Sequence, residues 1–208
     1  GDGVEGHEIP HHLGVEPELS IHKNRDVAEN WYAWTNEERG NLNLTNAFIA
    51  NTIFKSDSST FRHTTAAVNA GNDAGENFIS YHFASKAGVS KVGKYIGTGA
   101  AGNYVDCGFK PAWVMIKSLG GTRNWHIVDS LRGGSAGLIP NLSDAEGAVD
   151  RAQFDDEGFH LTSTSNQTNG LNEEYLFLAF AETNTDATKA WTDYTYPTTA
   201  DTLSIAQD

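Results

Sequence analysis

Cysteine is almost absent from the sequence, since Cys107 is the only one among 208 residues. A single cysteine excludes a disulfide within the chain, a Cys-x-x-Cys redox motif and a zinc site built from paired cysteines. Its neighbours Val105, Phe109 and Trp113 are apolar. We therefore interpret Cys107 as an inert thiol at a strand end or at the edge of the core.

Basic residues and long apolar runs are also scarce. The chain has 14 Lys and Arg against 27 Asp and Glu, which gives a formal net charge of −13. Nucleic acids and anionic membranes attract clusters of Lys and Arg, so this balance argues against both as partners. No stretch approaches the roughly 20 apolar residues of a membrane-spanning helix, and no signal peptide is visible. The start at Gly1 lacks a methionine, which is compatible with processing or with excision from a longer protein.

Glycine is abundant, with 21 residues, and Thr, Asn and Ser separate short apolar runs. This texture is typical of strands joined by turns. Helix-forming patterns are rare. The best helix candidate is the capped acidic turn at residues 143–146 (SDAE).

Two halves of the chain match each other in sequence. Residues 14–23 (GVEPELSIHK) align with residues 108–117 (GFKPAWVMIK), 94 positions later, and Asn30-Trp31 then falls on Asn124-Trp125. At an offset of 97, residues 78–84 (FISYHFA) match residues 175–181 (YLFLAFA). The matched blocks predict strands over residues 19–23, 31–34, 61–65 and 78–83 in the first half, 113–117, 125–128, 159–163 and 175–180 in the second, and 92–97 between the halves.

The repeat predicts the fold class. One unit of about 95 residues has four or five strands and a half-buried face, so two units can pack face to face around a shared core. We expect an all-β, jelly-roll-like β-sandwich of two sheets over residues 1–182, with pseudo-symmetric repeats at about 6–92 and 93–182. Residues 175–180 are apolar throughout, as in a strand covered on both faces. Residues 183–208 are rich in Thr, Asp and Ala, and we interpret them as a polar C-terminal extension or linker.

Five blocks in order carry a resemblance to a known family. They are residues 95–99 (YIGTG), 108–117 (GFKPAWVMIK), 124–133 (NWHIVDSLRG), 141–146 (NLSDAE) and 175–182 (YLFLAFAE). The set resembles a repeat-containing β domain of tail-fibre and related virion structural proteins of tailed bacteriophages, chiefly phages of marine bacteria and cyanobacteria. The resemblance spans about residues 6–182 and is weaker in the first half, where Glu18 and Ser20 replace usual apolar residues.

The resemblance implies a location in the virion and a role as a tail-fibre or surface-appendage module involved in host attachment. It implies a homo-oligomer, with a trimer favoured because fibres are commonly trimeric, and other virion proteins as partners. A capsid decoration protein and a lectin-like module that binds host-surface polysaccharide are the alternatives. A polysaccharide-degrading tailspike enzyme is disfavoured, because no acid/base set is assembled in the sequence.

Exposed aromatic residues are the best candidates for binding, since Trp and Tyr rings can stack on sugars. Trp31 and Trp125 recur in both repeats, which indicates core positions. Tyr32, Trp34 and Trp191 are freer to face outward. We predict these three as glycan-binding or interface residues.

Several motifs resemble active sites but lack the context that those sites need. Residues 97–102 (GTGAAG) form a literal GxGxxG, yet no helix can begin there to hold a dinucleotide. Residues 133–137 (GGSAG) match a nucleophile elbow, with Asp150, Asp155 and His160 downstream, but Pro140 follows instead of a helix. The carboxylates at residues 155–157 (DDE) are adjacent in one predicted turn, which we interpret as a solvated turn, with weak calcium binding as the less favoured alternative.

Histidines are numerous, but their spacing does not predict a metal site. No His-x-His pair occurs, so we interpret the strand histidines as ordinary surface residues. The strand histidines are His63, His82, His126 and His160, while His7, His11 and His12 lie near the N-terminus. We expect no catalytic residue, no metal and no cofactor.

Overall fold

A computed structural model gives the fold of this chain and describes residues 1–65, 71–133, 136–147 and 152–182. The described residues form strands, turns and loops, with no helix among them. The all-β class predicted from the sequence is therefore confirmed. The helix predicted at residues 143–146 is wrong, because Gly147 forms an antiparallel bridge with Gly137 and places this segment in a loop. Four residues are also too few to nucleate a stable helix.

Fifteen strands lie in the described ranges. They are β1 (Ile9–Pro10), β2 (Leu19–Asn24), β3 (Tyr32–Trp34), β4 (Glu38–Asn41), β5 (Ile49–Ala50), β6 (Phe54–Ser56), β7 (Thr60–His63), β8 (Phe78–Phe83), β9 (Ser90–Ile96), β10 (Asn103–Asp106), β11 (Pro111–Ser118), β12 (Trp125–Asp129), β13 (Ala152–Phe154), β14 (Gly158–Leu161) and β15 (Glu174–Ala181). The longest of them, β11 and β15, coincide with the most apolar runs of the sequence. Most of the others have only two to six residues.

The strands form four antiparallel sheets. A five-stranded sheet has the order β5-β4-β3-β2-β8, and a four-stranded sheet has the order β12-β11-β15-β9. Two outer sheets have three strands each, with the orders β1-β7-β6 and β10-β14-β13. The sequence predicted two sheets, whereas the structure has four. The outer strands are short segments of three or four residues, or of two in β1, whose pattern alone does not identify a separate sheet.

Three apolar interiors separate the four sheets. The first lies between the outer sheet β1-β7-β6 and the five-stranded sheet, and its buried members are Trp34, Phe54 and Phe61. The second joins the two large sheets through residues such as Leu19, Ile21, Met115, Leu176 and Leu178. The third lies between the four-stranded sheet and β10-β14-β13, and includes Val105, Ile116, Phe159, Leu161 and Phe177. Each large sheet is thus covered on both faces.

Strand β15 shows why both faces must be apolar. Its side chains alternate, so Leu176 and Leu178 enter the second interior while Tyr175, Phe177 and Ala179 enter the third. All five are buried. The prediction of a strand covered on both faces is confirmed.

Candidate functional site

A cleft of about 350 Å³ opens between the two large sheets. We call it the inter-sheet cleft. Its polar wall comes from the segment before β2 and from the turn between β3 and β4, and consists of Glu16, Glu18, Thr35, Asn36 and Glu37. Its floor is formed by Pro17, Val92, Gly93 and Leu176, and Lys94 of β9 lies at its edge. The cleft therefore combines hydrogen-bonding groups with a small apolar surface.

Lys94 fixes one side of the inter-sheet cleft. Its Nζ atom donates to Glu38 Oε2 at 2.9 Å and to Glu37 Oε2 at 3.0 Å, and lies 3.8 Å from Glu174 Oε2. Burial disfavours the charged ammonium, but the hydrogen bonds and charges of these carboxylates outweigh it and raise the pKa of Lys94. Since Glu38 belongs to the five-stranded sheet and Lys94 and Glu174 to the four-stranded one, the ion pairs connect the sheets at this edge.

Hydrogen bonds position the opposite wall. Asn36 Nδ2 donates to Glu16 Oε1 at 2.6 Å, and Asn36 Oδ1 accepts from Ser56 Oγ at 3.0 Å. The side chain of Glu37 remains 78% exposed, so one of its carboxylate oxygens can face a bound molecule while the other pairs with Lys94. These groups are preorganised acceptors and donors for a polar ligand.

A cluster of histidines occupies the interior between the five-stranded sheet and the outer sheet β1-β7-β6. The ring centroid of His22 lies 5.6 Å from that of His63 and 5.6 Å from that of His82. His22 and His63 are almost fully buried, and His22 Nε2 and both ring nitrogens of His63 have no hydrogen-bond partner. We call these three residues the histidine cluster.

Burial keeps the histidine cluster neutral. Loss of hydration lowers the pKa of His63 to about 4 and that of His82 to about 4, with the nearby His11 adding to the effect on His82. Burial, followed by the charges of His63 and His82, lowers the pKa of His22 well below its usual value. The interpretation of His63 as an ordinary surface residue is wrong, because it is buried, whereas His82 is half-buried.

His126 is a second histidine that the structure buries against our expectation. It lies in β12 with 4% of its surface exposed, and its Nε2 atom is 3.3 Å from Gln167 Oε1. By contrast, His160 is half-buried on β14 and pairs with Asp155 at 2.8 Å. The alternation of apolar and polar residues could not distinguish the buried His126 from the half-buried His160, because a strand of a large sheet is buried on both faces.

The predicted binding aromatics do not form an exposed site. Trp34 is fully buried, stacks on Phe54 with ring centroids 5.5 Å apart, and belongs to the first interior. The prediction of an outward-facing Trp34 is wrong, because the outer sheet β1-β7-β6 covers that face of β3. Tyr32 is half-buried and stacks on Trp34 at 5.8 Å. Trp191 lies outside the described residues.

The motifs that resemble active sites have structural roles where the structure describes them. Gly97 follows β9, and its amide donates to Glu173 O at 2.8 Å, so GxGxxG is part of a loop between strands. Asp155 Oδ1 accepts from the amides of Glu157 and Gly158 and closes a tight turn before β14. Ser135 and Asp150 lie outside the described residues.

Replacing Gly97 by alanine should lower the free energy of unfolding by about 2–3 kcal/mol. An added Cβ would lie 2.1 Å from Gly170 O and 2.8 Å from the carbonyl carbon of Asn169, both of which are backbone atoms. Urea denaturation would measure the loss. Gly120→Ala is the matched control, because nothing lies within 4 Å of its added Cβ, and its stability should be nearly unchanged. Equal stabilities for the two variants would contradict the close approach at Gly97.

The described ranges contain neither a cluster of metal ligands nor a membrane-spanning helix. No group of three or more His, Cys, Asp or Glu residues there has an arrangement that could hold a metal ion. No helix there is long and apolar enough to cross a bilayer.

The described residues define an all-β module of stacked antiparallel sheets with a cleft between the two large ones. The chain belongs to a family described as a domain of unknown function, DUF7483, whose model matches residues 1–184. No curated protein matches the chain, and no solved structure matches it.

Proposed function

We propose that this chain is a structural module of a tailed-bacteriophage virion, carried in a tail fibre or surface appendage and involved in host attachment. The proposal starts from the five sequence blocks over residues 95–182 that resemble such domains. A net charge of −13 on an antiparallel β scaffold also suits a protein that must stay soluble at high local concentration in an assembly.

The observation that carries the proposal is the repeated strand order. The order β3-β2-β8 in the five-stranded sheet has the same form as β12-β11-β15 in the four-stranded sheet. The outer sheets β1-β7-β6 and β10-β14-β13 are likewise equivalent in order. These correspondences support a sandwich-like body of two pseudo-symmetric repeats, each consisting of a large sheet with its own outer sheet. Repetition of a compact β unit is a simple way to lengthen an appendage.

Purified particles provide the test of this function. We expect peptides of this chain in mass spectra of virions from a phage that encodes it, and immunogold label on an appendage. Chain present in the lysate but absent from purified particles would overturn the proposal. Label confined to the capsid shell would instead support the decoration role.

The proposed assembly state is a homotrimer. Light scattering after size exclusion should then give three times the chain mass of 22.5 kDa. A mass that stays at one chain at all concentrations would contradict it.

The inter-sheet cleft favours a second candidate, recognition of a glycan. Its carboxylates and the Asn36 amide can pair with sugar hydroxyls, while Pro17, Val92 and Leu176 offer a small apolar contact. About 350 Å³ is enough for one sugar ring. This site replaces the aromatic site that the sequence predicted around Trp34.

Glu37→Gln should weaken glycan binding about tenfold or more, because a charged acceptor in a hydrogen bond contributes about 1.5–3 kcal/mol. An array of bacterial surface polysaccharides would first identify the ligand, and titration calorimetry would measure both proteins. Gln153→Ala, on the exposed face of β13 in an outer sheet, is the control and should bind normally. An array without any binding would favour a purely structural role.

A further inference from the structure

The five-stranded sheet ends in an unpaired edge at β8. No strand in the described ranges pairs with the side of β8 that faces away from β2. Asn77 O and Phe83 O accept hydrogen bonds from Arg25 and Glu18 on the β2 side. Backbone N–H and C=O groups point to alternate sides along a strand. Since those of the odd-numbered residues from 77 to 83 point toward β2, the N–H and C=O groups of Phe78, Ser80 and His82 point toward the open edge.

The equivalent edge in the four-stranded sheet is filled. Strand β9 pairs with β15 along its length, from Glu174 opposite Ile96 to Phe180 opposite Ser90. By the sequence offset of 97, β15 corresponds to β8. The two repeats therefore differ in whether this edge has a partner strand.

The chain that leaves β9 is held by specific hydrogen bonds. The amide of Gly97 donates to Glu173 O at 2.8 Å, and the amide of Gly99 donates to Asn169 O at 2.9 Å. Between them, the amide of Thr98 donates to Asn169 Oδ1 at 2.9 Å. These bonds mark the exit of a strand that pairs with β15.

Residues 1–3 make the same three bonds in the first repeat. The nitrogen of Gly1 donates to Glu76 O, and the amide of Gly3 donates to Asn72 O at 2.9 Å. The amide of Asp2 donates to Asn72 Oδ1 at 3.2 Å. Gly1-Asp2-Gly3 thus occupies the place of Gly97-Thr98-Gly99, and a strand equivalent to β9 would be joined directly to Gly1.

Tyr95 shows what β9 contributes to the interior. Its ring stacks on Tyr175 with centroids 5.1 Å apart and contacts Phe159 and Phe177 at 6.3 and 6.2 Å. Its hydroxyl donates to Thr168 O at 2.5 Å. This side chain fills the space between the four-stranded sheet and its outer sheet.

A cavity of about 300 Å³ lies at the same place in the first repeat. Its lining includes Phe61, Phe78, Ser80 and Gly71, and the repeat offsets place these residues at the positions of Phe159, Tyr175, Phe177 and Thr168. Gly1 also lines the cavity. The space has the size for an aromatic side chain, and it lies next to the point where an incoming strand would join.

Exposure along β8 agrees with a missing neighbour. Ile79 is 37% and Tyr81 45% exposed. The equivalent residues of β15, Leu176 and Leu178, are each 2% exposed. Apolar side chains on an unpaired edge strand favour strand addition.

We propose that the edge of β8 is a strand-acceptor site, filled by an extended segment of seven residues joined directly ahead of Gly1. The segment runs antiparallel to β8, and an aromatic residue two positions before Gly1 enters the cavity, as Tyr95 does two positions before Gly97. The buried and unpartnered His22 Nε2, on the cavity wall, is available to a polar group on that ring. The inference depends on the repeat proposed above, and on the bonds of residues 1–3 rather than on where the sequence starts.

Extending the chain tests the acceptor site. The residues Ser-Lys-Val-Gly-Lys-Tyr-Ile, which form β9, are joined ahead of Gly1, and a seven-residue Gly/Ser extension is the control. We expect amide hydrogen exchange at Phe78, Ser80 and His82 to slow about tenfold or more relative to the control, with a higher melting temperature. Replacing the tyrosine of the extension by alanine should remove most of the gain.

Two outcomes of this experiment would contradict the proposal. Equal exchange rates for the β9 sequence and the Gly/Ser extension would overturn the proposal. Protection of the same three amides in the unextended chain, increasing with protein concentration, would overturn it in favour of a second copy at the edge. Neither outcome affects the detection of the chain in virions, so a failure here is separable from a failure of the proposed function.

Discussion

Trp34→Ala is expected to lower the free energy of unfolding by about 3–5 kcal/mol, which is the usual cost of truncating a buried aromatic residue. The Trp34 side chain is fully buried among Phe54, Phe61 and the rings of His22 and His63. Its removal leaves a cavity between two sheets that cannot close without moving both. Urea denaturation followed by circular dichroism measures the change.

Trp34→Phe is the matched control for that experiment. Phenylalanine keeps most of the buried ring and removes the indole Nε1, which is buried without a hydrogen-bond partner. We expect a cost of about 1–2 kcal/mol, since the lost volume is partly offset by removal of an unsatisfied donor. A Trp34→Ala protein as stable as wild type would contradict the burial of this ring and revive its role as a surface binding residue.

Acidification is expected to destabilise the protein between about pH 6.5 and pH 4. The folded state holds the pKa of His63 at about 4, whereas an unfolded histidine has its ordinary value near 6.5. As the pH falls through this window, the unfolded chain binds a proton that the folded chain does not, so stability decreases. The full shift for His63 corresponds to about 3 kcal/mol. Above about pH 6.5 both states are neutral and the effect disappears.

His63→Leu should remove the part of this loss that His63 contributes, while the lowered pKa values of His22 and His82 leave the remainder. Leucine is the residue that the sequence match between the two halves aligns with this position, as Leu161, and Leu161 is fully buried. At pH 4.5 the variant should be more stable than wild type by about 2–3 kcal/mol, while the two should be similar at pH 7.5. Phe61→Leu, which changes the same interior but leaves every histidine in place, should keep the wild-type pH slope. A pH slope unchanged in His63→Leu would mean that His63 does not carry the effect.

Much of the fold was predictable because alternation and apolarity are local properties of the chain. Strands β2, β11 and β15 contain long apolar or alternating runs, and the structure places strands there. The burial of both faces of β15 followed directly from its uninterrupted apolar sequence. The third and fourth sheets were missed because β6, β7, β13 and β14 have only three or four residues each. The pairing of such a short strand depends on tertiary packing, so its own sequence gives little information about its partner strand.

The candidate sites were less predictable for a related reason. Tyr32 and Trp34 are two positions apart in one strand, so the same face of β3 that seemed free is the face that the outer sheet covers. The sequence match between the two halves aligns histidines of the first interior with buried aliphatic residues, His22 with Ile116 and His63 with Leu161. The aligned sequences of the two halves contained this signal, because an aliphatic residue at a matched position indicates that the position is buried. The inter-sheet cleft, by contrast, depends on distant segments that meet only in three dimensions.

The environment of Cys107 has a practical consequence for studying this protein. The side chain is buried in the third interior, and burial together with nearby Asp106 raises the pKa of the thiol to about 12. At neutral pH the reactive thiolate is therefore almost absent. The chain should behave toward maleimides as if it had no cysteine, so a cysteine introduced at Leu131, which is 98% exposed, would carry a single fluorophore without first mutating the native one.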